Sequence, residues 1–269
     1  MFHRKKTQNR SPIQDRRINR FAGETLREEL DELLSESCFL AGVGIVICLL
    51  SIAIFVFLAT GLSVSPLAAG LLIVGAGSIL LGIHRIHRLG RPIMRGLQAE
   101  QAVGQELQAL ENYGYCVIHD VPSFGRKGAN IDHVLIGASG VYAIETKWMT
   151  KNGDHHLDYD GSTILYNNRP IPYDPLPQAR AVANDLKQIV ETETGFSLDV
   201  IPVVLYPGWF VNNGQLRHTS GHVNVLSDKH FVQLVKNTKA AGLTRPQMAS
   251  IRAGILRHAE GARRHGLHR

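Results

Sequence analysis

Three ionisable side chains lie close together on two stretches that are typical of buried β-strands. Asp132 lies in the first stretch, NIDHVLIG, and Glu145 and Lys147 lie in the second, GVYAIETK. Charged side chains in a strand that is apolar on both faces cost stability unless they are paired, exposed or used in function. Two carboxylates and an amine are the groups needed to hold a divalent cation and direct a water molecule in a hydrolytic reaction.

The turn between the two strands decides which of their residues face one another. If residues 138–139 form a two-residue turn, Gly137 pairs with Gly140. Each step away from the turn in one strand is then matched by one step in the other. Asp132 consequently lies across from Glu145, with the two Cβ atoms about 5 Å apart.

Side chains alternate along a strand, so Asp132 is expected to share a face with Glu145 and Lys147. A hard cation such as Mg²⁺ would relieve the repulsion between the two carboxylates, and Lys147 could orient or deprotonate water or stabilise charge on phosphorus. The alternative is that Lys147 only neutralises Glu145 at a wet sheet end while Asp132 caps a loop. The opposite face is predicted to hold His133 and the apolar side chains of Ile131, Leu135, Tyr142 and Ile144.

Helices and strands that could position these groups alternate along residues 91–260, which predicts an α/β fold with a mixed sheet flanked by helices. The first helix should end at Gly114, and a hairpin should turn near Asp160 and Gly161. The predicted helices cover residues 91–113, 175–193, 228–239 and 244–260, and the other predicted strands are YCVIHD (115–120), LDVIPVVLYP (198–207) and VNVL (223–226).

A long uncharged stretch precedes this domain. Residues 37–83 are 47 consecutive residues without Asp, Glu, Lys or Arg, and about 20 apolar residues suffice to cross a bilayer as a helix. We therefore predict a transmembrane helical hairpin with spans at residues 39–58 and 65–83, in which Pro66 takes a first-turn position. The alternative is a buried helical hairpin of a soluble protein.

Lys and Arg lie on both sides of the hairpin, so both termini and the domain are expected in the cytoplasm, with residues 39–83 in the lipid bilayer. A cleaved signal peptide is not expected, because the first apolar segment is too long and a second one follows it. The basic residues are Arg4, Lys5, Lys6, Arg10, Arg16, Arg17, Arg20 and Arg27 before the hairpin, and Arg85, Arg88, Arg91 and Arg95 after it.

The cysteines and histidines argue against a disulfide framework and against a metal site built from these residues. The three cysteines, Cys38, Cys48 and Cys116, cannot form a disulfide framework or a CxxC metal site. His155 and His156 point to opposite faces of a strand and make a poor metal pair. The formal net charge of +6 is a mild excess that suits nucleic acid, an anionic membrane surface or a solvated exterior equally.

Several of these motifs together resemble the nuclease-related domain family, NERD, over about residues 100–210. They are G-x-E at residues 104–106, NIDHVLIG, GVYAIETK and PLPQ at residues 175–178, followed by a later apolar strand. The D and E-x-K pattern groups the family with the restriction-endonuclease-like PD-(D/E)xK nucleases. The resemblance implies that fold, and it implies Asp132 and Glu145 as metal ligands and Lys147 as the catalytic lysine.

The same resemblance implies two further site residues. Glu106 on the first helix matches an acid that some relatives add to the metal site, and Gln178 matches a glutamine on the helix after the hairpins. Without the resemblance, Glu106 could face solvent and Gln178 could bond a helix start. Arg126 and Lys127 are candidate phosphate contacts because they lie in a glycine-rich loop just before the acidic strand.

The sequence thus predicts a membrane-anchored, metal-dependent nuclease that uses Mg²⁺ or Mn²⁺ on nucleic acid, with DNA preferred to RNA. Alternatives are a noncatalytic nucleic-acid-binding or scaffold module tethered to the membrane, and a protein of anionic lipid surfaces. The predicted segments are a polar cytoplasmic segment (1–36), the transmembrane hairpin (37–83), a basic linker with the start of the first domain helix (84–99), the nuclease-related domain (100–210), and a C-terminal strand and helices with a basic tail (211–269).

Overall fold

The computed structural model describes residues 20–58, 66–124, 130–150, 156–212, 217, 221–238 and 242–264. Their contacts divide the chain into two compact units. The first comprises Gly23–Gln98, and the second comprises Ala99–Arg269 together with Met1–Ala22.

Two long helices dominate the unit Gly23–Gln98. Helix α1 spans Glu24–Leu58, and helix α2 spans Pro66–Arg85, beginning at the predicted proline. Both are long and apolar enough to cross a membrane. Their outer surfaces carry exposed apolar side chains, including Phe39, Val46 and Ile73. Helix α1 begins before the predicted span, because residues 24–36 continue the same helix.

The helices α1 and α2 approach each other through small residues. A Cβ atom added to Gly44 would lie 2.6 Å from the carbonyl oxygen of Gly75, and one added to Gly82 would lie 2.8 Å from the carbonyl oxygen of Ser37. Contacts this short are available only to glycine, so these positions set the spacing of the two backbones. Helix α2 then passes through a π-helical turn, Ile86–Gly90, into helix α3, Arg91–Gln108.

The second unit is built on a five-stranded mixed sheet in the order β1-β2-β3-β7-β9. Strands β1, β2 and β3 are antiparallel neighbours, whereas β7 joins β3 and β9 joins β7 in parallel. This mixture confirms the predicted sheet type. The strands span Cys116–Pro122 (β1), Asn130–Gly137 (β2), Gly140–Thr146 (β3), Val200–Leu205 (β7) and Asn224–Leu226 (β9).

A second, smaller sheet has four strands in the order β6-β5-β4-β8. The hairpin of β4 and β5 confirms the turn predicted near Asp160 and Gly161. Strand β8 was not predicted from the sequence. The strands are His156–Tyr159 (β4), Ile164–Tyr166 (β5), Arg169–Pro170 (β6) and Phe210–Asn212 (β8).

Helices cover both faces of the main sheet. Leu186 of α4 and Ile255 of α6 pack in one cluster with Val134 and Val141. Leu107 of α3 and residues of α5 pack in the cluster on the other face. Helices α4, α5 and α6 span Leu176–Thr194, Asp228–Asn237 and Arg245–Arg264.

One strand residue lies on a different side from the predicted one. Ile131 packs with Val134 in the cluster of α4 and α6, although strict alternation would place it with Leu135. The alternation is interrupted at Asp120, which has a φ of 55° and faces the neighbouring stretch of β2. A left-handed residue in a strand changes the local twist, and the side chains beyond it rotate.

Candidate functional site

The ladder between β2 and β3 confirms the predicted register and then stops. It runs from the pair Gly137–Gly140 to the pair His133–Ile144. Beyond that point β2 pairs only with β1, and β3 continues beside β7. The two strands therefore diverge just where the predicted acids lie, and the acids occupy the fork.

Asp132 lies on the β2 side of this fork. Its Oδ2 atom accepts a hydrogen bond of 2.7 Å from the backbone N–H of Thr146 on β3. This contact takes the place of a backbone ladder bond and ties the diverging strands together. Asp132 as a whole residue is partly exposed, while its carboxylate lies deep enough for burial to raise its pKa.

Glu145 lies on the β3 side and is almost fully buried, with 3% of its side chain exposed. Its Oε1 atom accepts two hydrogen bonds of 2.6 Å, from Nζ of Lys147 and from Nε2 of Gln178. Its Oε2 atom is buried and has no hydrogen-bond partner among the described residues. A buried carboxylate oxygen without a partner is costly, so this atom is the feature of the site that most needs an explanation.

Gln178 lies in the first turn of α4 and links several groups of the site. Its Oε1 atom accepts hydrogen bonds of 3.0 Å from Nζ of Lys147 and from the hydroxyl of Tyr173. The Lys147 Nζ atom also lies 5.5 Å from the centroid of the Tyr173 ring. The side chains Glu145, Lys147, Gln178 and Tyr173 thus form one connected network.

The electrostatics of the site follow from burial. Burial raises the pKa of Asp132, and the charges of Glu145 and Glu100 raise it further. Burial also raises the pKa of Glu145, against the opposing effect of Lys147. For Lys147, burial alone would lower the pKa, but the contact with Glu145 outweighs it and the pKa is raised. Lys147 therefore stays protonated near neutral pH, which suits charge stabilisation better than proton abstraction.

The helix acid whose charge acts on Asp132 is Glu100. Along α3, Glu100 shares a face with Val103 and Leu107, which are fully buried against the sheet. Glu106, the helix acid named from the resemblance, lies half-buried on the flank of that face. Sequence reasoning missed Glu100, although the spacing of three and seven residues to the apolar positions was a signal that could have found it.

The carboxylate oxygens at the fork are suitable ligands for a divalent cation. Asp132 and Glu145 offer carboxylate oxygens, the Oε2 atom of Glu145 lacks a partner among the described residues, and Glu100 adds negative charge. Oxygen donors of this kind fit Mg²⁺, which keeps several water ligands and needs only one or two carboxylates. No group of three His, Cys, Asp or Glu side chains in the described part of the chain is arranged to hold a metal ion. The residues fit a cation bound mainly by two acids and water.

Other residues named from the sequence lie elsewhere. Arg126 and Lys127 fall outside the described residues. Of the two tryptophans, Trp209 is buried and Trp148 is 40% exposed. His156 is exposed at the start of β4.

A second polar cluster lies on the neighbouring strands β1 and β2. Asp120 forms an ion pair of 2.8 Å with Arg20 and accepts a hydrogen bond of 2.6 Å from Asn130. The Nδ1 atoms of His119 and His133 are 2.8 Å apart. Burial lowers the pKa of His119 to about 4 and also lowers the pKa of His133. Both rings are therefore neutral near pH 7, with one Nδ1–H donating to the other nitrogen.

Comparison with known proteins assigns part of the chain. The family model described as nuclease-related domain, NERD, matches residues 95–207. That range contains Glu100, Asp132, Glu145 and Lys147, and it confirms the resemblance drawn from the motifs. No curated protein and no solved structure matches the chain significantly.

Proposed function

We propose, from the match of residues 95–207 to the nuclease-related domain of the restriction-endonuclease-like fold, that the protein hydrolyses phosphodiester bonds in nucleic acid, DNA in preference to RNA. The observation that carries the proposal is the buried Oε2 atom of Glu145, which lacks a partner among the described residues and belongs to the same fork as Asp132. Two acids with raised pKa values and an adjacent lysine are an arrangement that fits a functional site better than a structural ion pair.

Asp132 and Glu145 would hold Mg²⁺ or Mn²⁺, with Glu100 adding charge at the edge of the site. When bound, the cation supplies polarisation of a phosphoryl oxygen and a more acidic water. The N–H of Thr146 keeps the Asp132 carboxylate oriented at the fork. Without that bond, the two acids would separate with the diverging strands.

Lys147 supplies positive charge to the nonbridging oxygens of the phosphate as the charge on phosphorus redistributes. Gln178 holds both partners of this pair, because it donates to Glu145 and accepts from Lys147. A phosphate group entering the site would compete with Glu145 for the ammonium group. Gln178 would then keep Lys147 from swinging into solvent.

The helices α1 and α2 support a membrane location. Their exposed surfaces are apolar along most of their length, and exposure of so much apolar surface to water is unfavourable in a soluble protein. We propose that they cross the lipid bilayer as a hairpin. Because basic residues lie on both sides of the hairpin, we propose that both termini and the nuclease-related domain are cytoplasmic.

One observation favours a second candidate, a membrane-tethered module that binds nucleic acid without cleaving it. Lys147 already neutralises Glu145 at 2.6 Å, so the site is partly charge-balanced without a cation. Such a module would bind nucleic acid in a salt-sensitive way and would show no heat of Mg²⁺ binding.

The deciding experiment compares metal-dependent cleavage by the full-length protein with that by Glu145→Gln and Lys147→Met. Single-stranded, duplex and branched DNA are offered with Mg²⁺ and with EDTA. We expect both variants to lose at least about 100-fold in rate, since each removes a charge that acts on the reacting phosphate. Glu111→Gln, an exposed acid after α3, is the matched control and should cleave normally.

Retention of cleavage by Glu145→Gln would discard the mechanism. Absence of cleavage by the wild-type protein on every substrate, with salt-sensitive binding retained, would favour the noncatalytic module. Calorimetric titration with Mg²⁺ separates the two independently of activity.

A further inference from the structure

Tyr173 is an aromatic residue that is exposed and yet held in place. It lies in the turn between β6 and α4, and 60% of its surface is exposed. Its hydroxyl donates to Oε1 of Gln178 at 3.0 Å. The turn itself is fixed one residue later, where the Asp174 carboxylate accepts from the backbone N–H of Leu176.

The ring of Tyr173 borders the candidate site directly. The Nζ atom of Lys147 lies 5.5 Å from the ring centroid, and Lys147 is the group proposed to contact the phosphate. A phosphate at Lys147 therefore brings its own nucleotide's sugar and base within reach of the exposed ring. Because the hydroxyl is anchored, the ring loses little conformational entropy when a ligand covers it.

We propose that Tyr173 binds the substrate by stacking on an unpaired nucleobase next to the phosphate that Lys147 contacts. The inference rests on the proposed function and specifies its substrate as a single-stranded or locally unpaired segment. A base inside a duplex has both faces covered by its neighbours, whereas an unpaired base can offer one face to an aromatic ring. Stacking of this kind tolerates any base, because every base has a π-face.

The chain offers a matched control at another site. Tyr113, in the turn after α3, is 59% exposed, and Nζ of Lys236 lies 4.6 Å from its ring centroid. The pair Tyr113–Lys236 thus reproduces the exposure and the lysine contact of the pair Tyr173–Lys147. It has no connection to Glu145 through a glutamine. Loss of an exposed tyrosine as such can therefore be separated from loss of the stacking ring.

The test measures a binding preference rather than an affinity alone. All variants are made in full-length protein carrying Glu145→Gln, which prevents cleavage. Fluorescence anisotropy compares a labelled oligothymidylate with an oligomer of equal length whose residues are abasic, so that the phosphate charge is the same. We expect the parent to bind the thymidine oligomer roughly 5- to 100-fold more tightly, the range that stacking on one aromatic residue gives.

Tyr173→Ala should bring the two dissociation constants together, whereas Tyr173→Phe and Tyr113→Ala should keep the preference. A preference that persists in Tyr173→Ala would overturn the inference, and so would equal binding of both oligomers by the parent. In both cases the proposed nuclease function would stand on the cleavage assay. Failure of wild-type protein to bind or cleave any nucleic acid would overturn the proposed function and this inference with it.

Discussion

Two buried acids of this protein, Asp120 and Glu145, each have a basic partner and an amide partner, but they use their oxygens differently. Asp120 accepts from Arg20 on Oδ2 and from Asn130 on Oδ1, so both oxygens are bound. Glu145 accepts from Lys147 and Gln178 on the same atom, Oε1, and its Oε2 has no partner among the described residues.

The difference separates a structural acid from a candidate functional one. A buried carboxylate is tolerated when each of its oxygens finds a donor, and Asp120 meets that condition. Glu145 meets it on one side only, and the unmet side belongs to the fork between β2 and β3. The position of the partners, more than burial or charge, therefore distinguishes the two roles.

Removal of the basic partner of Asp120 is the largest expected effect on stability. Arg20→Ala removes the cation that pairs with the buried Asp120 carboxylate, and loss of one partner of a buried pair costs about 3–5 kcal/mol. We expect the free energy of unfolding, measured with urea in detergent, to fall by this amount. Cleavage per folded molecule should stay within about twofold, because the pair of Arg20 and Asp120 belongs to the polar cluster on β1 and β2 and not to the network of Glu145.

Lys187→Ala serves as the control for loss of a cation. Its ion pair with Asp199 is 2.9 Å long but exposed, and solvent screening leaves exposed pairs with little effect on stability. If Arg20→Ala costs no more than Lys187→Ala, the pair of Asp120 is not the structural element that the comparison makes it.

Stabilisation by Mg²⁺ should also distinguish Glu145 from Asp120. A ligand that binds only the folded protein stabilises it by about 2.7 kcal/mol at 100 times its dissociation constant. We expect Mg²⁺ to raise the melting temperature of wild type and of Arg20→Ala, and to leave Glu145→Gln unchanged. If the melting temperature of Glu145→Gln responds to Mg²⁺ as that of wild type does, the cation binds away from the fork.

The sequence suffices for the strand pair but not for the fork. The two-residue turn between Gly137 and Gly140 and the alternation of apolar residues determine the register up to His133 and Ile144. The divergence beyond them depends on β1 and β7 as neighbours, which no local pattern reveals. Arg20 lies in a segment that looks merely polar in the sequence, and its partner Asp120 is 100 positions away.

Glu100, a helix acid that was not predicted, has a similar physical cause for its effect on Asp132. The packing of α3 on the sheet brings the charge of Glu100 close enough to raise the pKa of Asp132. Val103 and Leu107 are the buried positions, and Glu100 lies in line with them. The periodicity of the apolar side chains was therefore a signal for Glu100, while Glu106 stays a prediction from the resemblance.

The smallest expected effect is the pH dependence of the stability of Asp132→Asn. It tests whether the negative charge of Asp132 destabilises the folded protein. Burial and the neighbouring acids raise the pKa of Asp132 in the folded protein, so the folded state binds this proton more tightly than the unfolded state. The contribution to stability is complete below the ordinary carboxyl pKa, near 4, and is lost as the pH rises through the raised value. Asparagine has no such proton to lose, and its side-chain oxygen can still accept from Thr146.

In EDTA, Asp132→Asn should therefore gain stability over wild type as the pH rises from 4 to 8, which urea unfolding at each pH would measure. Asp160→Asn is the control of opposite sign, since the N–H groups of Ser162 and Thr163 lower the pKa of the exposed Asp160. That carboxylate contributes stability above its ordinary pKa, and the contribution is lost as the pH falls. If the two differences from wild type change in the same direction with pH, the strain assigned to the fork is a general property of the protein's acids and not of the candidate site.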